Sequence, residues 1–185
     1  MVLSPQRQIE KYRVLFWNLH LSGKKIVSPL EAEKIARDAR LSERRLVFTN
    51  GCFDLLHRGH VECLIEAARL GDILLVAVNS DRAISKLKGA GRPLMCLEDR
   101  MIILSALSCV DYVIPFDDDD PAMIIEQIKP HVLVKGSDWP AENIVGRGFV
   151  EQCGGRVVTV MTSVPDYSTT KLIAKIRNIN NDARR

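Results

Sequence analysis

Paired cysteines are missing from this chain. Its five cysteines, Cys52, Cys63, Cys96, Cys109 and Cys153, are odd in number, widely spaced and form no CxxC pair, which argues for a reducing compartment and against a zinc knuckle. No apolar run approaches the ~20 residues that a membrane-crossing helix needs, and the amino terminus has no charged-then-apolar leader pattern. A cytoplasmic protein that does not enter membranes is therefore expected. Charge of one sign is also scarce. The net charge is +3, and basic residues cluster no further than the pairs Lys24 and Lys25, Arg44 and Arg45, and Arg184 and Arg185. That leaves no stripe for a nucleic acid. The first β-rich run is not followed by GxGxxG, which argues against a dinucleotide-binding reductase.

Hydrophobic residues make up 46% and charged residues 26% of the 185, ordinary usage for one globular domain with a short extension. The extension is assigned to residues 1–44 and the domain to residues 45–185. Within the extension, Ser28-Pro29-Leu30-Glu31 has capping-box spacing with proline at the first helical position, so a helix is expected to lead into residues 32–41. Tyr12, Phe16 and Trp17 form an aromatic cluster that packs either on the domain or on a neighbouring subunit.

From Arg45 onward β-rich runs at 46–49, 73–79, 112–115, 132–135 and 157–161 alternate with helical patterns at 61–70, 97–107 and 122–129, and a last helix starts at Thr169. Val61, Leu64, Ile65 and Ala68 follow the i, i+3, i+4, i+7 spacing of a helix that buries one face, whereas residues 73–78 are continuously apolar, as a central strand requires. This order predicts an α/β fold, a doubly wound parallel sheet of five strands. Ligands of such sheets gather beyond the carboxyl ends of the strands. Chemistry is therefore expected after Thr49, Asn79 and Lys135. The acidic run at 117–120 precedes Pro121 and reads as an acidic helix start rather than a cation site.

The stretch Thr49-Asn50-Gly51-Cys52-Phe53-Asp54-Leu55-Leu56-His57-Arg58-Gly59-His60 joins the first strand to the helix after it. Gly51 and Gly59 allow close backbone approach to a phosphate, and free N–H groups at a helix start favour an anion. His57 and His60 are placed to donate hydrogen bonds to triphosphate oxygens as charge moves onto a leaving pyrophosphate. A zinc pair is the competing reading of HxxH, but no nearby Cys or His is spaced to supply a third ligand. Ser168-Thr169-Thr170 opens the final helix, either as a phosphate cradle or as a plain N-cap. Lys88 and Arg92, in the glycine-rich LKGAGRP, are either cationic clamps on phosphate or surface residues. Asn79 and Asp81 either hold ribose or magnesium-bound water, or cap the next helix.

GCFDLLHRGH resembles the signature of the HxGH nucleotidyltransferase superfamily. The resemblance implies that His57 and His60 contact the triphosphate in a single in-line displacement at the α-phosphorus, without a covalent enzyme intermediate. Phe53 and Asp54 then lie along the phosphates, with Gly51 and Cys52 part of the same nucleotide site. LKGAGRP, LEDRM, CVDYVIPF, VLVKGSDW and YSTTKLI further resemble the adenylyltransferases of heptose 1-phosphate, over residues 25–177. That likeness implies ATP, carrying Mg²⁺, and heptose 1-phosphate as substrates, ADP-heptose and pyrophosphate as products, and a homodimer. It also implies Lys88 as a catalytic clamp, and Lys135, Gly136 and Asp138 as groups near the base or sugar. At this length a stand-alone transferase is expected, without a fused sugar kinase. Glycerol-phosphate cytidylyltransferases, the nearest alternative, carry an arginine at the place of Ser163; a non-catalytic nucleotide sensor is a third reading.

Overall fold

Successive side chains of a strand point to opposite faces, and that alternation sorts the interior into two halves. A computed structural model describes residues 25–136, 143–163 and 168–182. The five strands are β1 (Leu46–Gly51), β2 (Ile73–Asn79), β3 (Tyr112–Phe116), β4 (Val132–Gly136) and β5 (Arg156–Val160). They pair in the order β3-β2-β1-β4-β5, every pair parallel. The fold is the expected doubly wound α/β sheet.

Among the described residues, seven helices connect or flank the strands: α1 (Pro29–Leu41), α2 (Arg58–Ala68), α3 (Asp81–Lys88), α4 (Leu97–Ser105), α5 (Ala122–Ile128), α6 (Arg147–Gln152) and α7 (Thr169–Asp182). Leu46, Phe48, Ile73, Leu75, Ala77, Ile114 and Leu133 meet α1, α5 and α6 on one face. Val47, Leu74, Val76, Val78, Val113, Val132 and Val134 meet α2 and α4 on the other. All of β2 is buried, and each fully buried aliphatic side chain contributes about 1.5–3 kcal/mol.

The capping box at Ser28 forms as the spacing predicts: the Glu31 N–H donates to Ser28 Oγ at 3.2 Å, and the Ser28 N–H donates to Glu31 Oε2 at 2.8 Å. Helix α1 sits close to the sheet because its inner face is Ala32, Ala36 and Ala39, all buried in the same core as the strands. Just before it, Ile26 bridges to Val113 beside β3. The aromatic cluster at Tyr12, Phe16 and Trp17 lies outside the described residues, as does Asp138.

The acidic run serves a different purpose from the one its sequence suggests. Helix α5 starts only at Ala122, while Asp117 pairs with Arg82 and Asp119 with Lys86. The run thus pins α3 along its basic side, and only Asp120 serves the start of α5, accepting from the Ala122 N–H at 2.8 Å.

Candidate active site

The chain builds β1, β2 and β3 to one side, then crosses back to lay β4 and β5 on the other side of β1. The crevice beyond β1 and β4 is thus the switch point at which doubly wound sheets take ligands. Lys135 Nζ on β4 donates to Asn50 Oδ1 on β1 at 2.5 Å, joining the two strands at the floor of that crevice. Thr49 Oγ1 donates to the Val134 carbonyl at 3.0 Å just below it.

Beyond Gly51 the chain turns through Phe53, whose φ of 48° is left-handed and uncommon for an aromatic residue. A Cβ at Gly51 would come within 3.2 Å of the Phe53 ring. Glycine there makes room for this turn. The chain then reaches His57, which caps α2: the His60 N–H donates to His57 Nδ1 at 3.4 Å. Because Nδ1 accepts, the proton of the neutral ring lies on Nε2, which becomes a donor. The His57 and His60 rings stack with centroids 3.8 Å apart, and Phe53 meets His60 edge-on at 5.3 Å.

Electrostatics keep both rings uncharged at neutral pH. Burial lowers the His57 pKa. That of His60 falls to about 4, first through burial and then through His57, with the Leu55 carbonyl opposing. His60 Nδ1 is buried and has no hydrogen-bond partner among the described residues.

Asp54, 1% exposed, ties a second segment to this loop. Its Oδ2 accepts from Arg92 Nε at 2.5 Å, and its Oδ1 accepts from the Leu94 and Met95 N–H groups at 2.7 and 3.1 Å. Burial alone would raise its pKa, but these hydrogen bonds and the Arg92 charge together hold the carboxyl below its usual range. At Cys52 burial raises the thiol pKa against the charges of Lys88, Arg100 and Arg92. Three cations therefore converge behind and beside this loop.

Arg100, on α4, is fully buried. It donates to the carbonyls of Met95 at 3.0 Å, Cys52 at 2.5 Å and Asn79 at 2.8 Å, and to Asp81 Oδ1 at 2.7 Å. On the far side, Ser168 caps α7 by accepting from the Lys171 N–H at 3.2 Å, and Thr169 Oγ1 faces the Leu55 carbonyl at 3.4 Å. The start of α7 is thereby brought to the His57 loop. Thr170 is exposed.

The sequence matches known proteins in a consistent direction. The cytidylyltransferase-like family profile fits residues 48–175, more than half of the chain. This chain belongs to the cytidylyltransferase-like family. The bifunctional protein HldE of Alcanivorax borkumensis is 48% identical over 156 residues, which are 84% of this chain and 33% of that protein. HldE of Geobacter sulfurreducens is 53% identical over 133 residues, 72% of this chain and 27% of that one. The chain thus spans about a third or less of these curated relatives. Among solved structures, a lipopolysaccharide core biosynthesis protein from Thermoplasma volcanium superposes with a TM-score of 0.53 at 29% identity, covering 65% of this chain and 97% of that one. Pantoate-beta-alanine ligase from Francisella tularensis, at 13% identity and a TM-score of 0.50, covering 75% and 67% of the two chains, shares the fold alone.

Within this cytidylyltransferase-like chain the expected residues divide into groups. Gly51, Cys52, Phe53, His57, His60, Ser168 and Thr169 come together around the β1–α2 loop, with Lys135 and Gly136 at the adjoining end of β4. Asp54 turns inward and is spent on Arg92 and two backbone N–H groups, so both residues act as a staple between loops. Lys88 is the last residue of α3, which stops at Gly89 with φ 89°, rather than part of the glycine loop. The helix after β2 is capped by Ser80, whose Oγ accepts from the Ala83 N–H at 3.1 Å. Neither Asn79 nor Asp81 is the cap: the Asn79 carbonyl and the Asp81 carboxylate face Arg100.

Two residues were not singled out from the sequence. Arg100 lies within LEDRM, and the available signal is an arginine that directly precedes the apolar run Met101-Ile102-Ile103-Leu104 on a helical stretch. The other is Arg58. Its Nη2 donates to Ser163 Oγ at 3.0 Å while its Nε donates to Glu62 at 2.7 Å. A guanidinium therefore does stand at Ser163, contributed from α2 and neutralised by Glu62.

Proposed function

We propose that this protein transfers AMP from MgATP to a heptose 1-phosphate, giving ADP-heptose and pyrophosphate. The observation that carries the transfer chemistry is the stacked His57–His60 pair at the helix start, beyond the carboxyl end of β1. An oxygen of the sugar phosphate, already an anion at neutral pH, attacks the α-phosphorus in line, so no residue need remove a proton from it. Pyrophosphate leaves on the opposite side. A triphosphate beside the two imidazoles raises their proton affinity, and their N–H groups stabilise the charge that grows on the leaving group. Thr169, Thr170 and the helix start of α7 hold the outer phosphates, while Lys88 closes from the end of α3 and Lys135 and Gly136 flank the base or sugar.

Among the described residues no three His, Cys, Asp or Glu side chains converge as a metal cage. Asp54 and Asp81 are engaged by Arg92 and Arg100. In this reading magnesium enters as part of the substrate, held by triphosphate oxygens and water. The likeness of LKGAGRP, CVDYVIPF and YSTTKLI to heptose enzymes, together with relatives named HldE and a lipopolysaccharide core biosynthesis protein, favours heptose over an alcohol phosphate. Homodimeric assembly and a cytoplasmic location belong to the same reading; among the described residues no helix is long and apolar enough to cross a membrane.

The test is pyrophosphate release with Mg²⁺, each nucleoside triphosphate and a panel of sugar and alcohol phosphates. ATP with heptose 1-phosphate should exceed CTP with glycerol 3-phosphate by at least about tenfold in kcat/KM, or ~1.4 kcal/mol. The opposite preference rejects the heptose assignment alone. No pyrophosphate from any pair rejects transfer in favour of a nucleotide sensor.

A further inference from the structure

We propose that Arg100 is the internal positioning residue of the nucleotide pocket, a buried fork that sets three pocket segments in one mutual arrangement. This rests on the reading of the β1–α2 crevice as the nucleotide site. Four of the five guanidinium N–H donors have acceptors within 3.0 Å, on three segments: the β1–α2 loop, the β2–α3 junction at Asn79 and Asp81, and the Met95 segment. Three of those acceptors are backbone carbonyls. The one carboxylate, Asp81, is 47% exposed while the Arg100 side chain is 0% exposed, so the buried charge is only partly compensated.

Stability alone gives no reason to keep such a group. A well-packed apolar side chain of similar size at a buried ion-pair position is commonly as stabilising or more so, and α4 supplies apolar neighbours in Leu97, Met101 and Leu104. The planar fork instead fixes directions. With the Cys52 carbonyl drawn onto the guanidinium, the trans peptide turns the Phe53 N–H the opposite way, leaving it available to an anion at the loop. Residues 92–95 are gripped from two sides, by Asp54 on the Leu94 and Met95 N–H groups and by Arg100 on the Met95 carbonyl. Lysine cannot reproduce this, because one ammonium reaches fewer acceptors and offers no plane.

Arg100→Met and Arg100→Lys in the full chain separate positioning from bulk stabilisation. Amide hydrogen exchange followed by mass spectrometry on the ligand-free protein should accelerate at least tenfold over residues 52–57 and 92–96 in Arg100→Met, with less than threefold change in β2 and β4. Arg100→Lys should fall between wild type and Arg100→Met. KM for ATP should rise at least tenfold in Arg100→Met, with a smaller fall in kcat. Uniform acceleration across the core strands, or unchanged exchange in the two loops, overturns the proposal. So does a KM for ATP within threefold of wild type. If Arg100→Met does not fold, Arg100→Lys decides alone: loop exchange at least threefold faster with an unchanged core supports it, and unchanged loops overturn it. The exchange result needs no substrate, so a wild type inactive in the pyrophosphate assay removes the functional reading and leaves the loop-positioning result standing.

Discussion

Lowering the pH from 7.5 to 5.0 is expected to cost the folded protein about 2 kcal/mol through His60 alone. Its folded pKa of about 4 lies below the ~6.5 of an unfolded histidine. Between those values the unfolded chain binds more protons than the folded one, so stability rises with pH. The contribution is complete above about pH 6.5 and is lost as pH falls towards 4. At ~1.36 kcal/mol per pH unit the whole gap corresponds to about 3 kcal/mol, of which roughly 2 is lost by pH 5. Solvent reaching the partly exposed ring makes this an upper figure. His57 and His131, both lowered mainly by burial, act in the same direction. Asp54, whose pKa is also lowered, does not enter this window, because its contribution is lost only below the ordinary carboxylate pKa of ~3.9. Urea denaturation of wild type and His60→Asn, followed by circular dichroism at pH 7.5 and 5.0, isolates the term. Wild type should lose about 1–2 kcal/mol more than the variant over that interval. An equal loss in both proteins, or stability rising towards pH 5, would refute a buried neutral His60.

Asp54→Asn leaves Arg92 facing an amide instead of a carboxylate and should destabilise by about 2–4 kcal/mol, with a raised KM for ATP as residues 92–95 loosen; a urea midpoint unchanged from wild type would show that the staple contributes nothing. Ser28→Ala removes the cap of α1 and should lower stability by about 1 kcal/mol without altering turnover, a split read from thermal unfolding and steady-state rates together.

The sheet was legible because its signal is local and strong. Residues 73–79 are apolar throughout, and β2 occupies those residues; the other four strands fall within one or two residues of their expected ends. Helix α2 begins three residues earlier than periodicity placed it, because the cap is His57, and histidine is not among the side chains that usually announce a helix start. Helix α6, only six residues long, was not anticipated: RGFVEQ has too few turns to display a period. The candidate site was legible where contiguous motifs propose it, at residues 51–60 and 168–170, and the fold brings those two stretches together at Leu55 and Thr169. It was illegible where partners lie far apart in sequence: Asp54 with Arg92, Arg100 with Cys52 and Asn79, and Arg58 with Ser163. No spacing rule connects positions 58 and 163. Only the fold, by bringing Ser163, just after β5, onto α2, makes them neighbours.

The central claim, that the imidazoles at the start of α2 stabilise charge on a departing pyrophosphate, is tested most directly by His60→Ala. With saturating MgATP and heptose 1-phosphate, kcat for pyrophosphate release should fall at least about 10²-fold, or roughly 2.7 kcal/mol of transition-state stabilisation, while the circular dichroism spectrum at pH 7.5 stays that of the wild type. A folded His60→Ala protein with kcat within threefold of wild type would contradict the claim and return His60 to a structural role.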